Sequence, residues 1–266
     1  MAMFGSDAYA PREIAQRVQE AGVAKAHLPL LSVWMLGMLA GAFIGLGSLY
    51  FVIVASDASL PHALQRVLGG VVFSLGLLLV VVAGAELFTG NNLIAMAWAE
   101  GAVSTRELLW NWAVVCAANF AGALGLAALA YWSGHAEQYA ATYLEIAAAK
   151  SSLSLQEAFF RGVLCNVLVC MAVWMALAGR SVTDRFFAIV LPVSAFVAAG
   201  FEHSIANMYF LPLGMMLQPA GFAWLWTNLV PVIAGNLVGG SVLVALVYYV
   251  IYRRGAPKGG DPAREG

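Results

Sequence analysis

The sequence predicts an all-α membrane protein of six transmembrane helices. The composition is 62% hydrophobic and only 10% charged, where soluble domains run near ~25% charged. The apolar residues fall into blocks of about 20 or more, each able to cross ~30 Å of hydrocarbon. An internal repeat then predicts how six spans are arranged. The same composition excludes a soluble globular enzyme and a disordered chain. Thirteen Lys+Arg against fourteen Asp+Glu leave no net basic surface for nucleic acid. A length of 266 residues suits six spans with little left for a separate soluble domain.

The opening residues MAMFGSDAYAPRE contain no apolar core of a signal peptide. Residues 11–26, PREIAQRVQEAGVAKA, begin with Pro and mix apolar with charged residues. They predict a short cytoplasmic or interfacial helix within an N-terminal segment 1–28, against the blander reading of a mobile tail. The channel-forming region is expected over 29–252. Its first span runs from about Pro29 to Val54 and ends at SDASLPH. The second covers about Val67–Trp98, and the third Leu108–Trp132, followed by a polar stretch SGHAEQYAATYLEIAAAKSS. The fourth, Ala158–Leu177, ends at AGRSVTDR; the fifth is Phe186 to about Met216 and the sixth Trp224–Tyr252, before a charged tail 253–266.

Basic residues orient these spans. Arg12, Arg17, Lys25, Arg106, Arg180, Arg185, Arg253, Arg254, Lys258 and Arg264 fall on one side, against Arg66 and Lys150 on the other. Both termini are therefore expected in the cytoplasm. Cys116, Cys165 and Cys170 lie in apolar blocks without metal-ligand spacing and read as small buried hydrophobes. No metal or cofactor is expected.

Ala83-Gly84-x-Glu86…Asn91 in the second span matches Ala199-Gly200-x-Glu202…Asn207 in the fifth at a separation of 116 residues. Asn111, Asn119, Gly122 and Tyr131 match Asn228, Asn236, Gly239 and Tyr248 at 117. The first and fourth spans match weakly, through Gly41…Gly45 against Gly162…Asn166. Two copies of three spans, about 29–132 and 158–252, must enter the membrane in opposite senses. Such inverted repeats place their site near the midplane, on helices that break. AELFTGNN and FEHSIANM are where breaks are expected, because they interrupt apolar spans with polar residues. Unwound backbone there must line a cavity or be buried in protein, and half-helix N-termini would offer partial positive charge to an anion.

Glu86 and Glu202 occupy equivalent positions. A structural role, accepting hydrogen bonds from the broken backbone, is the favoured reading, with a proton relay as the alternative. Asn91 and Asn207 belong to the same broken segments. The four matched Asn of the third and sixth spans are expected to bond between helices, and Gly235 and Gly239 to permit close packing. His203 is the one His within a span, and its counterpart is Leu87. That asymmetry marks it as the functional candidate.

At these residues the chain resembles the formate/nitrite transporter family over nearly its whole length. The resemblance is carried by AELFTGNN, GVLCNVLVCMAVWM followed by GRS, FVAAGFEHSIANM and PVIAGNLVGG. It implies an aquaporin-like six-helix protomer, assembled as a pentamer with one pore each, for small monovalent anions such as formate and nitrite, with protons and membrane lipids as the other partners. It implies that His203 is the central pore histidine, Thr89 its hydrogen-bond partner and Asn166 a pore asparagine. Lys150 resembles a vestibule lysine that attracts anions. Phe73, Leu77, Leu87 and Phe196 match hydrophobic constrictions, without a division between the two mouths. Arg161 departs from the formate branch, where an apolar residue is expected. Such a pore carries a pH-sensitive anion flux, either with a proton shared by His203 or with one taken from vestibule water. A hydrosulfide or other weak-acid channel is the alternative within the family. A water or glycerol pore lacks its paired Asn-Pro-Ala motifs here, and an enzyme lacks a catalytic cluster.

Overall fold

A computed structural model describes residues 8–254. Lys258, Arg264 and most of the expected tail lie outside the described residues. Helix α1 (Pro11–Ala26) opens on Pro at its first position, where the missing N–H costs nothing. Its Glu13 carboxylate accepts from Ala10 N–H at 2.7 Å. The segment before it is tied down: Tyr9 N–H donates to Ala178 O at 3.0 Å, and the Arg17 and Arg180 guanidiniums lie 3.6 and 4.5 Å from the Tyr9 ring centre.

Helix α2 is Leu30–Ala55, and α3, His62–Leu78, continues as a π-helical turn to Gly84. The chain then unwinds through Ala85–Leu87 and resumes as α4 (Phe88–Asn91), a 3-10 turn over Asn92–Ile94 and α5 (Ala95–Ala99). Helix α6 is Thr105–Trp132, α7 is His135–Gln138, α8 is Ala140–Ser151 and α9 is Leu155–Ala178. Helix α10 (Val182–Ala199) stops at Gly200, and α11 (Ser204–Leu217) follows three unwound residues. Helix α12 (Ala223–Leu237) passes through a π-helical stretch, Val238–Leu246, into α13 (Val247–Tyr252). Six of these segments are long and apolar enough to cross a membrane.

Helices α6, α9 and α10 start about three residues earlier than the apolar blocks do. Ser104, Ser154 and Ser181 cap them, each with an acidic residue three positions on that bonds back to the cap N–H. A capping box satisfies orphan N–H groups and so extends a helix into polar sequence. The polar stretch before the fourth span is also helical. Helix α8 turns Tyr143 and Ala147 inward, both fully buried, and the Tyr143 hydroxyl lies 2.9 Å from that of Tyr209 on α11.

Gly84 (φ 85°) and Gly200 (φ 73°) end the two broken spans in the left-handed region, which only Gly enters freely. Gly235 and Gly239 lie against the Phe159 and Val163 carbonyls of α9. Their close packing joins α9 and α12 within the protomer.

Candidate functional site

The site is built from two unwound segments held by matching bond sets. Glu86 N–H donates to Leu36 O, and Glu202 N–H to Arg161 O, each at 3.2 Å. Asn119 Nδ2 donates to Gly37 O and Glu86 O, while its Oδ1 accepts from Phe88 N–H. Asn236 Nδ2 donates to Gly162 O and Glu202 O, and its Oδ1 accepts from Ser204 N–H. These pairs match Gly37 with Gly162 and Gly41 with Asn166. That corrects the weak register read between the first and fourth spans, which was four residues off because small residues recur too often in α2 to fix it.

The carboxylates accept from side chains rather than from broken backbone. Glu86 accepts from Lys25 Nζ at 2.5 Å and Asn91 Nδ2 at 2.7 Å. Glu202 accepts from Lys150 Nζ at 3.0 Å, Asn207 Nδ2 at 2.6 Å and Asn228 Nδ2 at 3.3 Å. Asn91 and Asn207 also reach Asn111 and Asn228, whose own amides donate to the Lys25 and Lys150 carbonyls. So α1 and α8 are structural counterparts. Sequence reading missed this because the two helices share Lys at their C-terminal ends and little else. Part of each half-helix N-terminus is occupied: Asn119 and Asn236 accept the first N–H groups, of Phe88 and Ser204, and His203 Nδ1 accepts that of Ala206.

Two vestibules of about 380 and 360 Å³ reach inward from opposite ends of this frame. Lys150, Arg66, Arg161, Phe73, Phe196 and His203 line the first. Lys25, Arg185, Glu86, Leu77 and Leu87 are among those lining the second. The four constriction candidates thereby divide: Phe73 and Phe196, edge to face at 5.8 Å between ring centres, sit with Lys150, and the two Leu with Lys25. Lys150 is no free cation. Its side chain is 15% exposed and paired with Glu202.

His203 is buried and stacks on Phe196 at 5.9 Å. As N-cap of α11 its Nδ1 accepts from Ala206 N–H at 3.2 Å. In the neutral ring the proton therefore sits on Nε2, 3.1 Å from Thr89 Oγ1. Thr89, fully buried, lines neither vestibule. Asn166 is fully buried as well and, like Thr89, is not among the residues lining either vestibule. Its Nδ2 donates to Asn236 O and Asn92 Oδ1, both at 2.7 Å, and to Thr89 O at 3.3 Å. Cys170, read as a plain hydrophobe, also bonds Thr89 O through its thiol at 3.3 Å. Both brace the turn that carries Thr89. Among the described residues no His/Cys/Asp/Glu group has a metal-binding arrangement.

The arrangement defines a membrane pore protein: two polar-mouthed vestibules closed by apolar side chains around one buried imidazole. A family model described as formate/nitrite transporter matches residues 12–250. The chain is 38% identical to the formate channel FocA of Escherichia coli, over 93% of this chain and 96% of that one. It is 39% identical to the uncharacterized transporter YrhG of Bacillus subtilis, over 92% and 94%. Among solved structures, an FNT family ion channel superposes with TM-score 0.83 at 29% identity, covering 90% of this chain and 98% of the other. A pentameric formate channel with formate bound gives TM-score 0.76 at 35% identity, covering 84% and 97%. The chain belongs to the formate/nitrite transporter family. It is a multi-pass membrane transport protein and not an enzyme.

Proposed function

We propose that the protein passes formate and related small monovalent anions, nitrite among them, across the bacterial inner membrane, with one pore per protomer of a homopentamer and both termini in the cytoplasm. The observation that carries this is His203 Nε2, 3.1 Å from Thr89 Oγ1, at the apolar floor of a vestibule lined by three cations. Relatives named as formate channels and a pentameric neighbour with formate bound support the substrate and the assembly. The excess of basic residues on one side supports the orientation.

A bare anion loses most of its hydration in an apolar constriction, at a cost of many kcal/mol, whereas a neutral acid loses far less. The bond from Ala206 to Nδ1 supports vestibule water as the source of the proton. An imidazolium carries hydrogen on both nitrogens, so protonating His203 breaks its own N-cap bond. Neutral His203 has one transferable hydrogen, on Nε2, and giving it up would leave an imidazolate. His203 therefore acts as a hydrogen-bond donor beside the Thr89 hydroxyl, and vestibule water supplies the proton. The vestibule cations concentrate the anion, which crosses the Phe and Leu rings as the acid.

The test is initial uptake of formate, nitrite, hydrosulfide and glycerol into proteoliposomes from pH 5 to 8, for wild type and His203→Asn. Asn keeps an acceptor for Ala206 N–H and a donor toward Thr89. Formate and nitrite uptake that rises as pH falls, with a modest loss and an unchanged profile in the variant, is expected. Loss of pH-dependent uptake with a persisting anion leak would instead make the imidazole the proton source. Glycerol uptake alone would end the anion reading. Labelling Glu137→Cys from outside and Arg106→Cys from inside checks the orientation.

A further inference from the structure

Asn119 and Asn236 each hold the break of their own half, but a third amide joins the two breaks. Asn166 Nδ2 carries two hydrogens and has two acceptors at 2.7 Å, Asn236 O and Asn92 Oδ1. The Asn236 side chain in turn holds Glu202 O and Ser204 N–H, on either side of His203. Asn92 opens the 3-10 turn three residues after Thr89, and so lies on the same face of that short helical stretch. The chain Asn92–Asn166–Asn236 therefore runs from the Thr89 turn to the unwound segment that carries His203. The other half does not repeat it: Asn92 falls opposite Met208 at the separation of 116, and Asn166 opposite Gly41. The Thr89 carbonyl, 3.3 Å from both Asn166 Nδ2 and Cys170 Sγ, is held less closely than Asn92 Oδ1. Asn92 is fully buried, and its Nδ2 makes no hydrogen bond among the described residues. A buried amide with an unpaired donor costs stability that an apolar side chain of the same size does not, which leaves the oxygen as what this amide contributes.

We propose that Asn92 is a positioning residue: its oxygen, through Asn166, sets the Thr89 turn against the His203 segment and so fixes the 3.1 Å between Thr89 Oγ1 and His203 Nε2. This rests on the reading of that pair as the polar centre of an anion pore. Asn92 lines neither vestibule, so it acts on flux only through the Thr89 hydroxyl. A hydrogen bond weakens steeply as its angle leaves the favoured range. A Thr89 turn released from Asn166 loses its alignment with Nε2 while the fold persists.

The experiment is a double-mutant cycle on initial formate and nitrite uptake into proteoliposomes at pH 5. It compares Asn92→Leu, Thr89→Val and the two combined, with pentamer content and thermal unfolding checked on each sample. Asn92→Leu alone is expected to lower uptake about fivefold, the size of one lost coupling between residues of a network. In the Thr89→Val background the same substitution should change uptake by less than about twofold, because the hydroxyl it positions is gone. Asn92→Asp, which keeps an acceptor oxygen in the same place, should retain most of the wild-type uptake. Asn92→Ala, which only removes atoms, gives the same cycle where Leu does not assemble. Equal fold-losses in the two backgrounds, wild-type uptake by Asn92→Leu, or an Asn92→Asp no better than Leu would overturn the proposal while leaving the pore intact. Absence of formate and nitrite uptake in wild type would instead overturn the anion reading and this proposal with it.

Discussion

Lys150 Nζ lies 3.0 Å from Glu202 Oε1, one residue before His203, so the cation of one vestibule and the central imidazole hang on the same unwound strand. Removing one partner strands the other in a buried site. Glu202→Gln should lower stability by about 3 kcal/mol, and Lys150→Met alone by a similar amount. The double variant should recover most of the loss. Thermal unfolding of all three in detergent, read as a double-mutant cycle, checks this. Additive single effects would show that the pair is not coupled. Uptake lost by Lys150 variants at every salt concentration would then reflect the frame, whereas loss confined to low salt would reflect capture of the anion.

Thr89→Val keeps the volume of the side chain and removes its hydroxyl. The Nε2–H of His203 then has no partner, at a cost of about 1–3 kcal/mol for an unsatisfied buried donor. Formate uptake should fall roughly tenfold, with the pentamer intact by mass measurement. Wild-type rates would show that the hydroxyl contributes nothing to passage.

Gly235→Ala places a methyl against the Phe159 carbonyl within the protomer. Backbone at a helix crossing does not yield as a side chain does, so α9 and α12 must separate. The variant should lose stability by about 1–3 kcal/mol and unfold at lower temperature whatever its oligomeric state. A stably folded protomer that merely fails to assemble would place the defect at an interface between protomers instead.

Burial holds the His135 imidazole below its ordinary pKa of 6.5, beside the Tyr143 hydroxyl at 3.3 Å. The unfolded chain therefore binds a proton at higher pH than the folded one. The stability His135 contributes is present above about 6.5 and is lost as pH falls below it. Hydrogen exchange in α7 and α8 should accelerate on acidification, and His135→Gln should flatten that response. Exchange that is independent of pH, once the intrinsic rate is removed, would show that His135 does not titrate there.

The six spans, the two breaks and the candidacy of His203 were legible in the sequence, because each rests on a local property. Apolar length sets a span. A Gly followed by Glu, His and Asn in an apolar block marks backbone that cannot stay helical. The asymmetry of Leu87 against His203 needs only a count of residues. The tertiary structure alone decided which polar groups meet. That Lys25 answers to Lys150 depends on two helices whose sequences share little, since a matched hydrogen bond constrains one side chain and leaves its neighbours free. That Asn166 and Cys170 hold the Thr89 carbonyl, and line neither vestibule, depends on which way a helix is turned. Helical turns of small and apolar residues do not fix that rotation without their packing partners. The commitment of Lys150 to Glu202, and of Arg66 to the carbonyls of Val197 and Ala198, follows from distances between segments far apart in the chain. Charge can be counted along a sequence, but whether a charge is already neutralised is decided by what folds beside it.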